Sequence, residues 1–531
     1  MKEVLLEDIK PEAKVITYLS EKEIGEDIHI VKEVKFVNNK YIDDIKIIKD
    51  YKRPFYITKP LFRNHKDKKE SEQLSRVNRF MSSESSLYSN VNRRLGDGYT
   101  GKVDIRKLKR SPYLYGTDVD SRTHLKQDYI KGNDNFLSPY RIGVFDIEFN
   151  VLTSEIIILS IATKKHLKVA LLKSFADTIP DLYNRLDTLY EKYIPNVKFK
   201  KNMKKEVIVF DTEMDMITYI FQEANYMEID ILTAWNIKYD ITQILDVIEK
   251  NKANPADIFH YDKIPDKYKY FKFTPGREVK KTEAGKEMAM NVEEQWHTIK
   301  TTANYQMLDN MASHRYIRAG GATIPGGYSL DNILKVEEVA QKLKFNSNQG
   351  FKGIEWHIDM VKNRPAEYVT YNQWDDMSVL QLDEKTKDLS VSLPLLSGMS
   401  HPDIFNSGPK RIIDALTFFY LDKGLVLGVK EIGGTNDKIL NLKGWILTLE
   451  SYMTTDNGLD NIKEIKGLIS NIKSYVYDLD AISSYPNNGL AANVSKDTTH
   501  RELIAINGIT KAIFKLQNMN LMYGKTNAIE Y

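Results

Sequence analysis

The sequence predicts a multidomain protein of mixed α/β and α+β class. Three observations carry this. The chain has 531 residues, more than one hydrophobic core normally holds, which sets an expectation of roughly two to four domains. Its first sixty residues read as short strands rich in β-branched and aromatic residues. From residue 141 the pattern runs strand, strand, helix, strand, helix and late helix, an α/β order.

In the first region the strand signals are Val15–Tyr18, Ile28–Val31 and Pro54–Thr58. The run Asn64–Glu70 is polar and charged, a solvated loop or helix face. Ser82–Arg94 is Ser/Asn-rich and reads as irregular. A linker ends near Ser138-Pro139-Tyr140. Strands are then expected from Arg141 and over Glu155–Thr163, as a hairpin. Helical spacing marks 181–193, 213–226, 241–250 and 365–385, with a strand at Ile229–Leu232.

Composition is that of an ordinary globular chain, 42% apolar and 28% charged. Net charge is only +3, so any basic surface must be local. No cysteine is present, which excludes disulfides and thiolate zinc sites and permits a reducing compartment. The acidic N-terminus does not read as a signal peptide. No run approaches the ~18 apolar residues of a membrane span, so no membrane partner is expected.

The chemistry is carried by acids. In Val144-Phe145-Asp146-Ile147-Glu148-Phe149, two carboxylates lie two residues apart. On a strand they share a face. Adjacent acids on an apolar strand call for a cation, and all-oxygen ligands suit magnesium or manganese. In Leu232–Asp240 a strand runs into a turn and Asp240 opens a helix, either as its cap or beside a strand-end site. In Tyr368–Asp376, Tyr371 and Asp375 are four apart and share a helix face, a phenol beside an acid. Taken singly, each piece also fits a solvated acid, a cap or a packing residue.

Asp146-Ile147-Glu148, then Asn236-x-x-Tyr239-Asp240, then Tyr371-x-x-x-Asp375 resemble in order the three exonuclease motifs of family B replicative DNA polymerases, the type found in large tailed phages. One departure is the spacing of Asn236 and Tyr239, two residues where three are also common. The resemblance implies an RNase H-like domain that hydrolyses the 3′ end of DNA with two magnesium (or manganese) ions. Asp146, Glu148, Asp240 and Asp375 would be metal ligands, Tyr371 would orient the attacking water, and Asn236 would lie near the primer strand.

Tyr475–Asn487 resembles the first palm motif of the same family, with Asp480 five residues before Tyr485-Pro486. That implies Asp480 as ligand of the magnesium bound by the nucleotide, Ser483 and Ser484 near the phosphates, and Tyr485 under the sugar. Ser484 and Asn487 depart from the usual Leu and Ser. Tyr115–Ser121 looks like the other palm motif, but it precedes the exonuclease motifs and its acids are displaced by one, so it reads as a loop. Asn520–Gly524 weakly resembles a fingers motif. Arg277–Lys286 is a charged turn between strand-like Tyr268–Thr274 and Met288–Asn291, similar to a hairpin of phage polymerases, and Pro325–Asp331 resembles a Tyr-Ser-Leu-Asp segment of those enzymes.

The domains expected are 1–140, an N-terminal α+β domain; 141–388, the exonuclease; 389–470, a return to the N-terminal domain and a linker; and 471–531, the start of a palm. Family B nucleotide addition also needs a second palm acid, fingers and a thumb. The expectation is therefore an N-terminal polymerase subunit or truncated form, completed by a C-terminal partner chain. The partners implied are primer-template and single-stranded DNA, dNTPs and a sliding clamp, in the cytoplasm of a host cell. The rival readings are a stand-alone exonuclease with a degenerate palm and an inactive DNA-binding assembly subunit.

Overall fold

A computed structural model describes residues 10–37, 40–95, 103–131, 138–281, 287–318, 324–343, 345 and 351–430. The palm candidates Asp480, Ser483, Ser484 and Tyr485, and the segment Asn520–Gly524, lie outside the described residues. Among the described residues no helix is long and apolar enough to cross a membrane. The architecture is mixed α/β, with several sheets and helices in one compact unit.

The N-terminal region holds two three-stranded sheets. Strands β1 (Glu12–Leu19), β2 (Ile28–Val37) and β3 (Lys40–Lys49) form an antiparallel meander. Between β1 and β2 lies the short helix α1 (Glu21–Ile24), closed by a Ser20/Glu23 capping box and by Gly25 at φ 77°. Strand β4 (Arg53–Thr58) is flanked by β6 (Val77–Ser82) and β7 (Leu114–Tyr115), and β5 (Ser71–Gln73) lies apart from them. Helices α2 (Leu87–Leu95) and α3 (Ile105–Arg110) bury Leu87, Val91 and Leu108 against Phe55 and Ile57 of β4. The irregular reading of Ser82–Arg94 is thus corrected. Its apolar residues Leu87 and Val91 are four apart and meet the sheet, which outweighs the Ser/Asn content. Within Tyr115–Ser121, residues 116–120 form a loop between β7 and α4 (Ser121–Ile130), turned by Gly116 at φ 75° and ending where Asp120 caps α4.

The central sheet has six strands in the order β11-β10-β9-β8-β12-β17. Strands β8 (Ile142–Asn150), β9 (Glu155–Ala162) and β10 (His166–Leu172) form an antiparallel meander, as the hairpin signal predicts. After α5 (Lys173–Ala176) and α6 (Leu182–Tyr193), β11 (Lys204–Phe210) adds parallel to β10. Helix α7 (Glu213–Ala224) leads to β12 (Ile231–Ala234), which is parallel to β8. Gly143 leaves room beside this pairing for the Ile229 side chain, just before β12. A Cβ there would come within 2.4 Å of Ile229 Cδ1.

Helix α8 (Ile237–Lys250) starts at Ile237 with Asn236 as its N-cap residue. Asp240 therefore lies in the first turn and does not cap the helix. After α9 (Pro255–Phe259), β13 (Phe271–Thr274) pairs with β16 (Thr298–Thr301), while β14 (Val279–Lys281) and β15 (Glu287–Ala289) form their own exposed hairpin. The strand at 271–274 is thus not the partner of 288–291. Strand β17 (Gln306–Asp309) closes the large sheet, parallel to β12, and leads into α10 (Asn310–Ile317).

Helices α11 (Leu330–Val336) and α12 (Ile354–Asn363) precede the 22-residue α13 (Pro365–Thr386), which packs on β8, β9 and α6. Pro365 opens α13 and Lys387, at φ 56°, ends it. The chain continues through α14 (Leu393–Ser397) and α15 (Gly408–Asp422) to β18 (Leu425–Leu427). There β18 pairs antiparallel with β5, Val426 opposite Glu72, so the chain returns to the N-terminal region.

Candidate metal centre

Asp146 and Glu148 alternate outward from the middle of β8, and β9 fixes them by register, Asp146 opposite Ser160 and Glu148 opposite Ile158. Helix α13 lies over this face and brings Asp375. One ligand oxygen each from Asp146, Glu148 and Asp375 lies within 4.8 Å of the others. Glu148 and Asp375 are buried and Asp146 is half-buried. Asp240, buried in the first turn of α8, is not part of that triad, but it is close enough to Asp146 and Glu148 for their charges to raise its own proton affinity. A fifth acid, Asp376, is fully buried behind them and accepts a hydrogen bond from Ser160 at 2.6 Å.

Five carboxylates in so small a space cannot all be ionised without a cation. Burial and the Asp375 carboxylate push Asp146 up to about 7. Burial, then Asp146, raises Glu148 well above the ordinary carboxylate range. Burial, then Asp146 and Glu148, does the same for Asp240. Asp375 and Asp376 are raised by burial as well.

Specific donors hold the cluster in place. Asn372 Nδ2 donates to Asp146 at 2.8 Å, and Tyr368 OH donates to Glu148 at 2.5 Å. His357 Nδ1 lies 2.7 Å from the same Tyr368 oxygen. Lys342 Nζ bridges Asp375 at 2.6 Å and Tyr371 OH at 2.8 Å. Burial would lower the Lys342 ammonium, but Asp375 and Tyr371 outweigh it and hold it well above its usual value. Lys342 uses only one Asp375 oxygen. The other, Oδ1, is buried with no hydrogen-bond donor.

That orphaned oxygen, the all-oxygen donor set and the raised proton affinities fit a hard divalent cation such as magnesium or manganese. One lysine among five acids leaves negative charge that such an ion would offset.

The sequence-predicted residues divide as follows. Asp146, Glu148 and Asp375 come together, with Asp240 beside them. Tyr371 sits against Lys342, its ring 4.9 Å from that of Trp356. Asn236 ends the turn before α8 with its Oδ1 buried and unpaired, so its place near Asp240 leaves an acceptor open. Asp480, Ser483, Ser484 and Tyr485 lie outside the described residues.

Sequence reading missed Tyr368, Asn372, Asp376, His357 and Lys342. A signal exists for the first three. They lie on α13 at positions that continue the Tyr371/Asp375 face by one turn or one residue. Lys342 and His357 come from other segments and carry no such signal. Asp309, at the end of β17, was also missed. One carboxylate oxygen accepts from Ile237 N at 3.0 Å and the other from Ala312 N at 2.7 Å, so a single acid caps both α8 and α10. It thereby sets the turn of α8 that carries Asp240. Near the same turn, the Tyr328–Asp331 segment packs back, with Tyr328 O accepting from Trp235 Nε1 at 2.9 Å. No family model matches this chain, and no curated protein matches it.

Proposed function

We propose that this site hydrolyses the 3′-terminal phosphodiester of single-stranded DNA, as the 3′→5′ exonuclease of a family B DNA polymerase. The observation that carries the reading is the convergence of Asp146, Glu148 and Asp375, from segments more than 200 residues apart, into one buried oxygen cluster. The sheet order supports an RNase H-like domain: an antiparallel three-strand meander, extended on the β8 side by two parallel strands.

Asp146, Glu148, Asp240 and Asp375 would hold magnesium or manganese, which when bound supplies Lewis acidity for the phosphate and a more acidic water. The chain's own groups prepare the site. Tyr368, steadied by His357, fixes Glu148, and Asn372 fixes Asp146. Lys342 places positive charge where a phosphate under attack gains negative charge. Tyr371, held by Lys342, presents its hydroxyl beside Asp375 to orient water. Asn236, in the turn before α8, would lie near the strand end.

The test is release of mononucleotides from the 3′ end of 5′-labelled single-stranded DNA. Activity should need magnesium or manganese and stop with chelator. Metal-independent release, or release from the 5′ end, refutes the reading.

For nucleotide addition, the proposal is that Asp480 serves as one palm acid, with Ser483, Ser484 and Tyr485 at the nucleotide. Magnesium-dependent dNTP binding that is unchanged in Asp480→Ala would refute that assignment.

A further inference from the structure

We infer that the outer side of α2 and α3 is a binding surface for the phosphate backbone of single-stranded nucleic acid. The two helices carry six basic residues, Arg93, Arg94, Arg106, Lys107, Lys109 and Arg110, and no acid. That is twice the net charge of the whole chain, which is only +3. The charge is therefore segregated, not spread.

Both helices are pinned by Leu87, Val91 and Leu108 to the same face of the β4 sheet. Arg93, Arg94, Arg106, Lys107 and Arg110 are all exposed on them. Two acids beside α3 are engaged. Asp104 spends its carboxylate on the amides of Arg106 and Lys107 as the α3 cap, and Asp118 pairs with Lys109 at 2.8 Å.

Favourable placement at helix C-termini explains some of these cations. It does not explain Arg106, which stands in the first turn of α3, where the helix dipole opposes a positive charge. Exposed like charges on two packed short helices repel one another, a cost that a polyanion would offset.

Aromatic rings lie among the cations. The Arg94 guanidinium sits 5.0 Å from the centre of the half-buried Phe80 ring, and the Lys109 ammonium 6.0 Å from that of Tyr88. Basic groups interleaved with rings suit a strand with exposed bases. The choice of nucleic acid over another polyanion rests on the exonuclease reading of the carboxylate site.

The test measures binding of a fluorescein-labelled oligothymidylate to the full chain in chelator, so that no cleavage is needed. Wild type and the variant Arg106→Glu/Lys107→Glu/Arg110→Glu are titrated across a salt series. Losing three phosphate contacts should reduce the slope of log affinity against log salt by about 2 and weaken binding at low salt at least about tenfold. The milder Arg106→Gln/Arg110→Gln should lose about two-thirds as much slope, and a thermal melt reports that each variant is folded. Nuclease activity on a very short oligonucleotide should persist in both. Unchanged slope and affinity in the folded variants would overturn the inference, as would binding to anionic phospholipid vesicles with none to the oligonucleotide. Absence of metal-dependent nuclease activity in the wild type, with the slope difference intact, would sink the exonuclease reading and leave this surface standing.

Discussion

Strands β8 and β12 run parallel, and each end of this pair gathers acids, with opposite outcomes. At the end where the strands begin, Asp230 is fully buried yet fully paired. Lys32 lies 2.9 Å from it, and Arg141 donates to both of its oxygens at 2.9 and 2.7 Å. Burial would raise Asp230, but Lys32 and Arg141 hold it down at about 2. Further along β8 and past the end of β12, Asp146, Glu148 and Asp240 are raised, with Lys342 the nearest cation and engaged by Asp375. An acid whose charge is answered inside the protein is a fastener. Lys32 also donates to Ile229 O and Asn304 O, and so ties the N-terminal meander to the central sheet. Acids whose charge is left unanswered store a demand for a cation, and that is what a metal-dependent site needs.

The largest expected effect separates the two ends by activity. Asp146→Ala should slow DNA cleavage by about 1,000-fold, roughly 4 kcal/mol of transition-state stabilisation, while leaving the metal-free fold at neutral pH at least as stable as wild type. A single-turnover assay reads the first and a chelator-treated melt the second. Undiminished cleavage would remove Asp146 from the site.

Asp230→Ala should do the reverse, costing ~3 kcal/mol or more of stability because Lys32 and Arg141 lose their fully buried anion and keep only the partly exposed Asp43. Denaturant unfolding measures it. A loss below ~1 kcal/mol would break the contrast. The residual folded fraction should cleave DNA at the wild-type rate.

The two tyrosines sharpen the picture within the site. Tyr371→Phe removes the acceptor of Lys342 and a water-orienting hydroxyl, and should slow cleavage about tenfold, less than Asp375→Ala does. Tyr368→Phe removes the donor to Glu148 and should act on a similar scale, mainly by weakening the apparent metal affinity. If Tyr371→Phe proves more damaging than Asp375→Ala, the assignment of the phenol to water and the acid to metal is reversed.

The smallest effect is on stability against pH. Asp146 is raised to about 7, so the folded chain holds a proton that the unfolded chain, near ~3.9, has released. Its contribution is fully present below about pH 4 and is lost as pH rises through about 7. Asp230, lowered to about 2, contributes above about pH 4 and loses that contribution as pH falls towards 2. Without metal, Asp146→Asn should therefore lose fewer degrees of melting temperature than wild type between pH 5 and pH 8, by a few degrees at most. Magnesium should remove the difference. An identical pH dependence in the two proteins would show that Asp146 is not held protonated by its neighbours.

Part of this contrast can be read from the chain itself. The two-residue period of a strand puts Asp146 and Glu148 on one face, and the turn of a helix puts Tyr371 over Asp375. Both periods are local, so the sequence alone determines them, as it does most strands and helices of the central sheet. Its reach fails where partners are distant. Tyr368 and Glu148 are 220 positions apart and Asn372 and Asp146 are 226 apart, and no spacing rule links them. Lys342 arrives from a segment outside any regular element. Asp309 caps two helices at once only because β17 lies beside β12. The sign of each buried acid is likewise tertiary. Asp230 and Asp146 are the same side chain near the same strands, and only the packing of Lys32 and Arg141 around one, and of further carboxylates around the other, sends their proton affinities in opposite directions.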